Sequence, residues 1–189
     1  MDPYYELAYA LESKSMCLFV GTGFSMHITD LKAPSWLNLL KKCAKKIEGG
    51  KDLIDQLFPD DKPIMPLEEC ASILQAKMHS HGKCLHTEIA EIIRKLKLGD
   101  NAKQVQEFVG NFPDLKFITT NYDLLIENEL TGDGKSTSYA IGYPVNRQPK
   151  GIQVYHVHGS IKYPKKMVVT SDDYFHFMVP FGNRCEEFC

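Results

Sequence analysis

The sequence predicts an α/β fold built around a parallel β-sheet. Three largely apolar runs, far apart in the chain, each stop at small or polar residues; they are residues 18–20, 117–118 and 154–157. Short runs of this kind are typical of buried parallel strands, because helices cover both faces of such a sheet. Amphipathic helical patterns occupy the intervals between the runs. We therefore expect a Rossmann-like, three-layer domain with the sheet in the middle.

The composition is that of one ordinary domain. The chain has 189 residues, of which 43% are hydrophobic, and it carries a formal net charge of −2. Domains that hold nucleic acid by its backbone are strongly basic, so no direct nucleic-acid binding is expected. Neither a signal peptide nor the roughly 20 consecutive apolar residues of a membrane span is present in the sequence. These features predict a cytoplasmic protein with no membrane contact.

The first 50 residues predict helix, strand and helix in turn. An Asp-Pro pair provides an N-cap and a first-turn proline for a helix over residues 3–13. The first strand follows at residues 16–20. After a glycine-containing turn, Ser35 is placed to cap an amphipathic helix that ends at Gly49-Gly50.

Residues 50–103 are expected to form a helical insertion within a single domain of residues 1–189. Asp, Lys and Pro are frequent up to residue 66, which favours a surface loop with at most a short helix. Apolar stripes at helical spacing predict helices over residues 67–78 and 85–96.

Strands return in the second half of the chain. A helical stripe at residues 105–112 leads into a strand at 116–119, and a helix is predicted at 124–130. Further extended runs are predicted near residues 139–141, 152–157 and 167–170.

The segment from Gly21 to Ser25 is a candidate phosphate-binding loop. Gly21 and Gly23 allow a close approach of the backbone to a pyrophosphate, and a helix beginning near residues 24–25 would direct free N–H groups toward it. Met26 stands where the dinucleotide fingerprint has a third glycine or alanine, which disfavours an ordinary dehydrogenase. A purely structural turn is the alternative for this loop.

Asn121 and His158 are the candidate catalytic residues. A carboxamide does not titrate, so Asn121 is suited to hold a ribose hydroxyl or to orient a water molecule. His158 can accept a proton near neutral pH, and Gly159 leaves space beside it for a ligand. The alternative role of Asn121, and of Asp123, is to cap the helix that follows.

Neither a metal site nor a disulfide is expected. Residues 156 and 158, and residues 79 and 81, form His-x-His pairs, but no Cys or acidic partner stands at ligand spacing. The six cysteines are scattered along the chain, which favours free thiols in a reducing compartment.

The order of the three motifs resembles the sirtuin superfamily. Gly21–Ser25, Asn121–Asp123 and His158-Gly159 occupy the places of its glycine loop, Asn-x-Asp segment and His-Gly pair. Thr-Asn-Tyr-Asp at 120–123 is most similar to the sirtuin-like domains of bacterial antiviral defence proteins, a branch known for destroying NAD. The resemblance covers about residues 16–177. It implies that NAD is the substrate, that Asn121 and His158 are catalytic, and that the NAD-binding residues are Gly21, Thr22, Gly23, Phe24, Ser25, Thr120, Asp123, Gly159 and Ser160.

The resemblance implies an NAD hydrolase that releases nicotinamide and ADP-ribose and depletes NAD as a defence effector. Sirtuin protein deacylases carry a four-cysteine zinc ribbon after the His-Gly pair, whereas only Cys185 and Cys189 follow it here. Deacylation is therefore the first alternative, and a module that senses NAD or ADP-ribose without turnover is the second. Because unrestrained NAD hydrolysis would harm the host, control by homo-oligomerisation or by a partner protein of the defence system is expected.

Sirtuin-like domains continue past the segment that resembles residues 171–174 into a further strand and helix. We therefore expect this chain to lack the C-terminal strand and helix of the fold. Several apolar side chains are then expected to lack cover, which normally marks an interface; they are Phe175, Phe177, Met178, Val179, Phe181 and Phe188.

Overall fold

A computed structural model describes residues 2–132, 135–140 and 151–178. It contains a four-stranded sheet in the order β1-β2-β4-β3, and all neighbouring strands are parallel. The strands are β1 (Cys17–Val20), β2 (Lys116–Thr119), β3 (Ser136–Ala140) and β4 (Ile152–His156). Helices flank this sheet, so the fold is α/β and Rossmann-like, as the sequence predicts.

The ends of three neighbouring strands lie side by side. Val20 is paired with Thr119, and Thr119 is paired with His156. Because the strands are parallel, the residues that follow them leave the same edge of the sheet. The three sequence motifs therefore converge at the carboxyl edge, which is where open α/β sheets bind their ligands.

Helices account for most of the remaining described residues. They are α1 (Pro3–Glu12), α2 (Thr22–Ile28), α3 (Trp36–Ala44), α4 (Gly50–Leu57), α5 (Leu67–His79), α6 (Leu85–Ile93), α7 (Ala102–Asn111) and α8 (Ser171–Met178). The predicted caps are confirmed: Asp2 accepts a hydrogen bond from the Tyr4 amide (3.0 Å), and Ser35 accepts one from the Asn38 amide (3.2 Å). Within the described residues, no helix is long and apolar enough to cross a bilayer.

Two hydrophobic cores hold these elements together. The first lies among α3, α5 and α6, where Leu40, Leu74 and Ile89 are fully buried. The second lies where α2 and α7 cover one face of the sheet, and there Phe117 and Val154 are fully buried. Tyr122 and Met167 extend the first core toward the carboxyl edge of the sheet.

The opposite face of the sheet is more open. Phe19, Ile118, Tyr155 and Tyr139 form one row across all four strands. Phe19 is 71% exposed, and the rings of Tyr139 and Tyr155 stack with their centroids 4.7 Å apart. Of the apolar side chains expected to lack cover, Phe175, Phe177 and Met178 are exposed, whereas Val179, Phe181 and Phe188 lie outside the described residues.

The residues around Gly50 differ from the sequence prediction. Helix α3 ends at Ala44, and Gly50 begins α4 rather than ending the previous helix. The eight residues of α4 are the short helix that the composition allowed, and Leu57 packs into the first core. Frequent Asp and Lys residues mask the apolar edge of this helix in the sequence.

The extended run predicted near residues 167–170 forms no β-strand, although the backbone of Met167 is extended. This segment does not join the described sheet, and its backbone groups bond elsewhere: the Val168 amide donates to the His158 carbonyl (2.9 Å), and the Tyr122 hydroxyl donates to the Val168 carbonyl (2.6 Å). Met167 and Val169 are buried, and burial on both sides produces the same apolar pattern as a strand.

The helix predicted at residues 124–130 is a π-helix over Ile126–Leu130. Its wider turn is closed by a hydrogen bond from the Thr131 amide to the Ile126 carbonyl (3.0 Å). Glu127, in the first turn of this segment, is 7% exposed and lies beneath the end of β4. Short π-helical turns are frequent at functional sites.

Candidate functional site

A cavity of about 200 Å³ opens at the carboxyl edge of the sheet. One wall consists of polar residues from the ends of β1, β2 and β4, and the other is formed mainly by apolar residues of α3 and α6. The lining residues are Thr22, Ser25, Ala33, Pro34, Trp36, Leu39, Ile93, Leu96, Thr120, Asn121, Tyr122, Asp123, His158 and Tyr174. A concave site with a few convergent polar groups is typical of a small-molecule pocket.

The cavity brings together part of the set of residues singled out from the sequence. Six of them line it: Thr22, Ser25, Thr120, Asn121, Asp123 and His158. Gly21, Gly23, Phe24, Gly159 and Ser160 are not among its lining residues. The ring of Phe24 packs instead against Phe117 in the second core, with 6.2 Å between the centroids.

Asn121 is held on several sides by hydrogen bonds. Its side-chain Nδ2 donates to the Gly21 carbonyl (2.8 Å) and to Ser25 Oγ (2.7 Å). Its main-chain amide donates to Thr119 Oγ1 (3.0 Å). Because a carbonyl oxygen can only accept, the Gly21 contact fixes which end of the carboxamide carries the nitrogen. Asn121 therefore has its Oδ1 atom left to meet a ligand as an acceptor.

Asp123 helps to hold Asn121 in place through the Ser25 hydroxyl. The Ser25 hydroxyl donates to Asp123 Oδ2 (2.7 Å), and the Leu125 amide donates to Asp123 Oδ1 (3.2 Å), so Asp123 also caps the following turn. Burial raises the pKa of Asp123, and the hydrogen bond from Ser25 only partly offsets that rise. The Asp123, Ser25 and Asn121 side chains thus form one chain of hydrogen bonds from the glycine loop to β2.

His158 is set in the cavity by packing. Its ring is half-buried and meets the rings of Tyr174 and Phe177 edge-on, with centroids 5.3 Å and 5.8 Å away. Burial lowers the pKa of His158. Burial therefore favours the neutral imidazole, which is the form that can accept a proton.

His156, the other histidine of this segment, has a different environment. It is 3% exposed and is not among the residues that line the cavity. Its ring lies 2.9 Å from the Asn121 carbonyl through Nδ1 and 2.6 Å from Glu127 Oε1 through Nε2. His156 thus contacts the polar wall of the cavity from behind, through the main chain of Asn121.

The glycines differ in what the fold requires of them. A Cβ atom on Gly23 would meet no atom within 4 Å, and one on Gly21 would contact Thr120 Oγ1 at an ordinary 3.6 Å. Gly159 has a φ of +78°, and a Cβ there would lie 2.7 Å from the Lys166 carbonyl oxygen. The chain therefore needs Gly159 for its own folding, whereas the space beside Gly23 is open.

The apolar wall of the cavity was missed by sequence reasoning. Trp36 and Tyr122 contribute neighbouring rings with centroids 6.0 Å apart, and Leu39, Ile93 and Tyr174 complete this wall. The helical pattern assigns Trp36 and Leu39 to a core face, which is also correct. Tyr122 lies between Asn121 and Asp123, which the sequence pattern singles out. This position within the motif was the signal that could have identified Tyr122 as a cavity residue. Among the described residues, no group of three or more His, Cys, Asp or Glu side chains is arranged to hold a metal ion.

Two comparisons with known proteins indicate what this chain is similar to. Residues 115–189 match a family model described as a SIR2-like domain. The chain is also similar to the NAD(+) hydrolase ThsA of Bacillus cereus (strain MSX-D12), with 26% identity over 187 residues. That match covers 95% of this chain and 36% of the relative, so the chain spans about a third of the relative's length.

Proposed function

We propose that this chain is a SIR2-like protein that hydrolyses the bond between nicotinamide and ribose in NAD to give nicotinamide and ADP-ribose. The similar Bacillus cereus protein is named for NAD(+) hydrolysis, and the similarity extends along almost the whole of this chain. The proposal depends most on one observation, which is that an oriented carboxamide and a neutral imidazole line the same cavity.

The chemistry of this bond agrees with those two groups. Its cleavage builds positive, oxocarbenium-like charge on the ribose, while nicotinamide departs as a neutral molecule. No acid is then needed for the leaving group. The protein must instead hold the ribose in a reactive position and provide a base for a ribose hydroxyl or for the attacking water.

We assign the positioning role to Asn121 and the base role to His158. Both donor hydrogens of the Asn121 carboxamide are used within the protein, so Oδ1 accepts from a ribose hydroxyl or from water. The lowered pKa of His158 keeps its imidazole unprotonated at neutral pH, ready to receive the proton. When water attacks the ribose carbon, the C–N bond to nicotinamide breaks, nicotinamide leaves with the electron pair, and the proton of the water moves to the imidazole as the new C–O bond forms.

The remaining walls complete a site for NAD. The apolar side chains of Trp36, Leu39 and Ile93 suit the flat nicotinamide ring and exclude water from the reacting bond. The loop at Gly21 to Ser25 is proposed to carry the phosphates, since the space beside Gly23 is open. Asp123, Gly159 and Ser160 are proposed to support the nicotinamide side of the pocket.

The proposal also includes how the activity is controlled. We propose a cytoplasmic defence effector whose NAD hydrolysis is released by self-assembly or by a partner protein. Phe175 and Met178 on α8 are 66% and 77% exposed, and α8 also carries Tyr174 of the cavity. A protein bound at α8 would therefore have direct access to one wall of the site.

Product analysis tests the proposal. Purified chain is incubated with NAD, and nicotinamide and ADP-ribose are separated by chromatography, with Asn121→Ala and His158→Ala as controls. Equimolar release that both variants suppress supports hydrolysis. Stoichiometric loss of acyl groups from an acylated lysine peptide would indicate a deacylase instead, and binding of NAD without products would indicate a sensing module.

A further inference from the structure

Glu127 and His156 form a buried pair that the proposed reaction does not use. Glu127 is 7% exposed in the π-helix over Ile126–Leu130, and His156 is 3% exposed at the end of β4. Glu127 Oε1 lies 2.6 Å from His156 Nε2 and accepts a second hydrogen bond from Ser138 Oγ (2.7 Å). Charged groups this deeply buried are costly to retain without a purpose, because removal from water disfavours them.

The proton positions on His156 follow from its partners. Nδ1 faces the Asn121 carbonyl oxygen at 2.9 Å, and a carbonyl oxygen can only accept. Nδ1 must therefore carry a hydrogen. Burial acts to lower the pKa of His156, but the hydrogen bond and charge of Glu127 outweigh it and raise that pKa. Both ring nitrogens are then donors, one toward Asn121 and one toward Glu127.

Glu127 allows both ring nitrogens of His156 to act as donors at once. A neutral histidine has a single N–H, and without Glu127 that hydrogen stays on Nδ1, toward the Asn121 carbonyl oxygen. The ring then loses its anchor at Nε2, and it loses the charge that strengthens its hydrogen bond to the carbonyl oxygen. The ring, and with it the Asn121 main chain, is held less firmly.

We propose that Glu127 and His156 are positioning residues, which hold the main chain of Asn121 and thereby set the place of its Oδ1 atom in the cavity. This inference rests on the proposed function of the cavity. The Asn121 side chain is anchored to the glycine loop through Gly21 and Ser25, so the His156 contact fixes the residue from the opposite side. A displacement of about 1 Å in a positioning group can cost about a hundredfold in rate.

Glu129 provides a matched control. It lies in the same π-helix, is partly buried, and accepts hydrogen bonds from the Leu98 amide (3.0 Å) and Lys97 Nζ (3.0 Å). Neither partner is among the residues to which Asn121 or His156 is hydrogen-bonded. Glu129→Ala therefore removes a carboxylate of the same helix without touching the proposed support of the cavity.

Steady-state kinetics on NAD separates positioning from stability. Glu127→Ala and His156→Ala are expected to lower kcat by about tenfold or more, with KM changed by less than about threefold. Glu127→Gln is expected to retain kcat within about threefold, because its amide N–H can donate to Nε2 and leave the hydrogen on Nδ1. Glu129→Ala is expected to keep kcat near wild type. If Glu127→Ala leaves kcat unchanged, or if Glu129→Ala lowers it equally at the same loss of melting temperature, the proposal is overturned.

Nitrogen-15 NMR without NAD supplies a readout that does not depend on turnover. The expected result is a hydrogen on both ring nitrogens of His156 in the wild type, and a hydrogen on Nδ1 alone in Glu127→Gln and in Glu127→Ala. The Asn121 side-chain NH₂ signals are expected to shift in Glu127→Ala and to stay in place in Glu129→Ala. An unprotonated Nδ1 in the wild type, or unmoved Asn121 signals in Glu127→Ala, overturns the inference. A wild type that shows the expected NMR but releases no nicotinamide overturns the proposed function alone.

Discussion

At the scale of single residues, Asn121 and His158 are prepared for their proposed roles by different physical means. Hydrogen bonds orient Asn121, since both hydrogens of its carboxamide have partners within the protein. Packing prepares His158, since burial beside Tyr174 and Phe177 lowers its pKa. The first residue is therefore sensitive to changes in its partners, and the second to changes in the rings around it.

The pH dependence of turnover should reveal His158. Only the neutral imidazole accepts a proton, so kcat/KM is expected to fall as the pH drops through a value below the ordinary histidine pKa of 6.5. His158→Ala should lower kcat on the order of a hundredfold and remove that acid limb. His156→Ala should have a smaller loss and should keep the acid limb, because His156 does not line the cavity and is not the proposed base. An unchanged acid limb in His158→Ala, or its disappearance in His156→Ala, would show that the base is assigned wrongly.

Gly23 allows a test of the phosphate loop that spares the fold. A Cβ atom at this position would meet no protein atom within 4 Å other than those of its own helix turn, so Gly23→Val should leave the melting temperature within a few degrees of wild type. The same side chain would occupy the space proposed for the phosphates and should weaken ADP-ribose binding by about tenfold or more. Calorimetric titration measures this change. An unchanged dissociation constant would reduce the loop to a structural turn.

The candidate site could be predicted from sequence only where a motif marked the end of a strand. Asn121 and His158 follow apolar runs, and parallel strands bring such positions to one edge, so both were found. Trp36 and Tyr122 were missed because an aromatic ring that lines a cavity and one that fills a core give the same apolar pattern. Gly159 was interpreted as space for a ligand, whereas its positive φ and the nearby Lys166 carbonyl show a requirement of the chain itself.

At the scale of elements, α8 is attached to the helical core by an ion pair between Asp173 and His86 and by a hydrogen bond from the Ser171 amide to Ser72 Oγ on α5 (3.0 Å). Asp173 Oδ2 accepts from His86 Nε2 on α6 (2.9 Å) and from the Thr170 amide (2.8 Å). Tyr174, the next residue, lines the cavity and touches the ring of His158. The pair therefore links the position of α8 to the environment of the proposed base.

This pair predicts a pH window of maximal stability. Burial acts to raise the pKa of Asp173, but hydrogen bonds from His86 and Thr170 bring it down to about 2, so its contribution is complete above 3.8 and is lost as the pH falls through about 2. Burial acts to lower the pKa of His86, but Asp173 outweighs it and raises that pKa, so its contribution is complete below 6.5 and is lost as the pH rises through the raised value. Both contributions are complete between 3.8 and 6.5.

Thermal unfolding of His86→Gln measures the effect. The wild type should exceed this variant in melting temperature by more at about pH 5.5 than at about pH 8.5, because only the protonated imidazole carries the charge that Asp173 stabilises. Asp173→Ala should cost on the order of 2 kcal/mol at neutral pH, the equivalent of its pKa shift. A constant difference between wild type and His86→Gln at the two pH values would contradict this account.

The helices and strands whose ends are clearly marked in the sequence were the ones predicted correctly. The strand at 116–119 and the start of α3 agree with the sequence prediction, since an apolar run and a Ser cap mark them sharply. The sequence predicts an extended run at residues 167–170 but does not show that it stays outside the sheet, because residues buried from two sides give the same apolar pattern as a buried strand. The π-helical turn at Ile126–Leu130 was not foreseen, because the sequence pattern of a helix does not separate π from α turns.

At the scale of the whole molecule, the cavity lies where the two cores approach each other. Leu39 and Ile93 belong to the first core, whereas Thr22 and Thr120 follow strands whose inner face packs into the second. A ligand that contacts both walls would therefore bridge the helical cluster and the sheet. Binding energy at this place would stabilise the association of the two cores as well as fill the cavity.

Ligand binding should accordingly stabilise the entire fold. A ligand at about 100 times its dissociation constant adds about 2.7 kcal/mol to the free energy of unfolding, which corresponds to about 5–10 °C in melting temperature for a domain of this size. ADP-ribose should produce such a shift in the wild type and a smaller one in Gly23→Val at the same concentration. Lys14→Ala is the matched control, because Lys14 pairs with Asp114 at the opposite edge of the sheet, and it should respond as the wild type does. A melting temperature that ADP-ribose leaves unchanged in the wild type, measured by scanning calorimetry, would contradict nucleotide binding at the carboxyl edge.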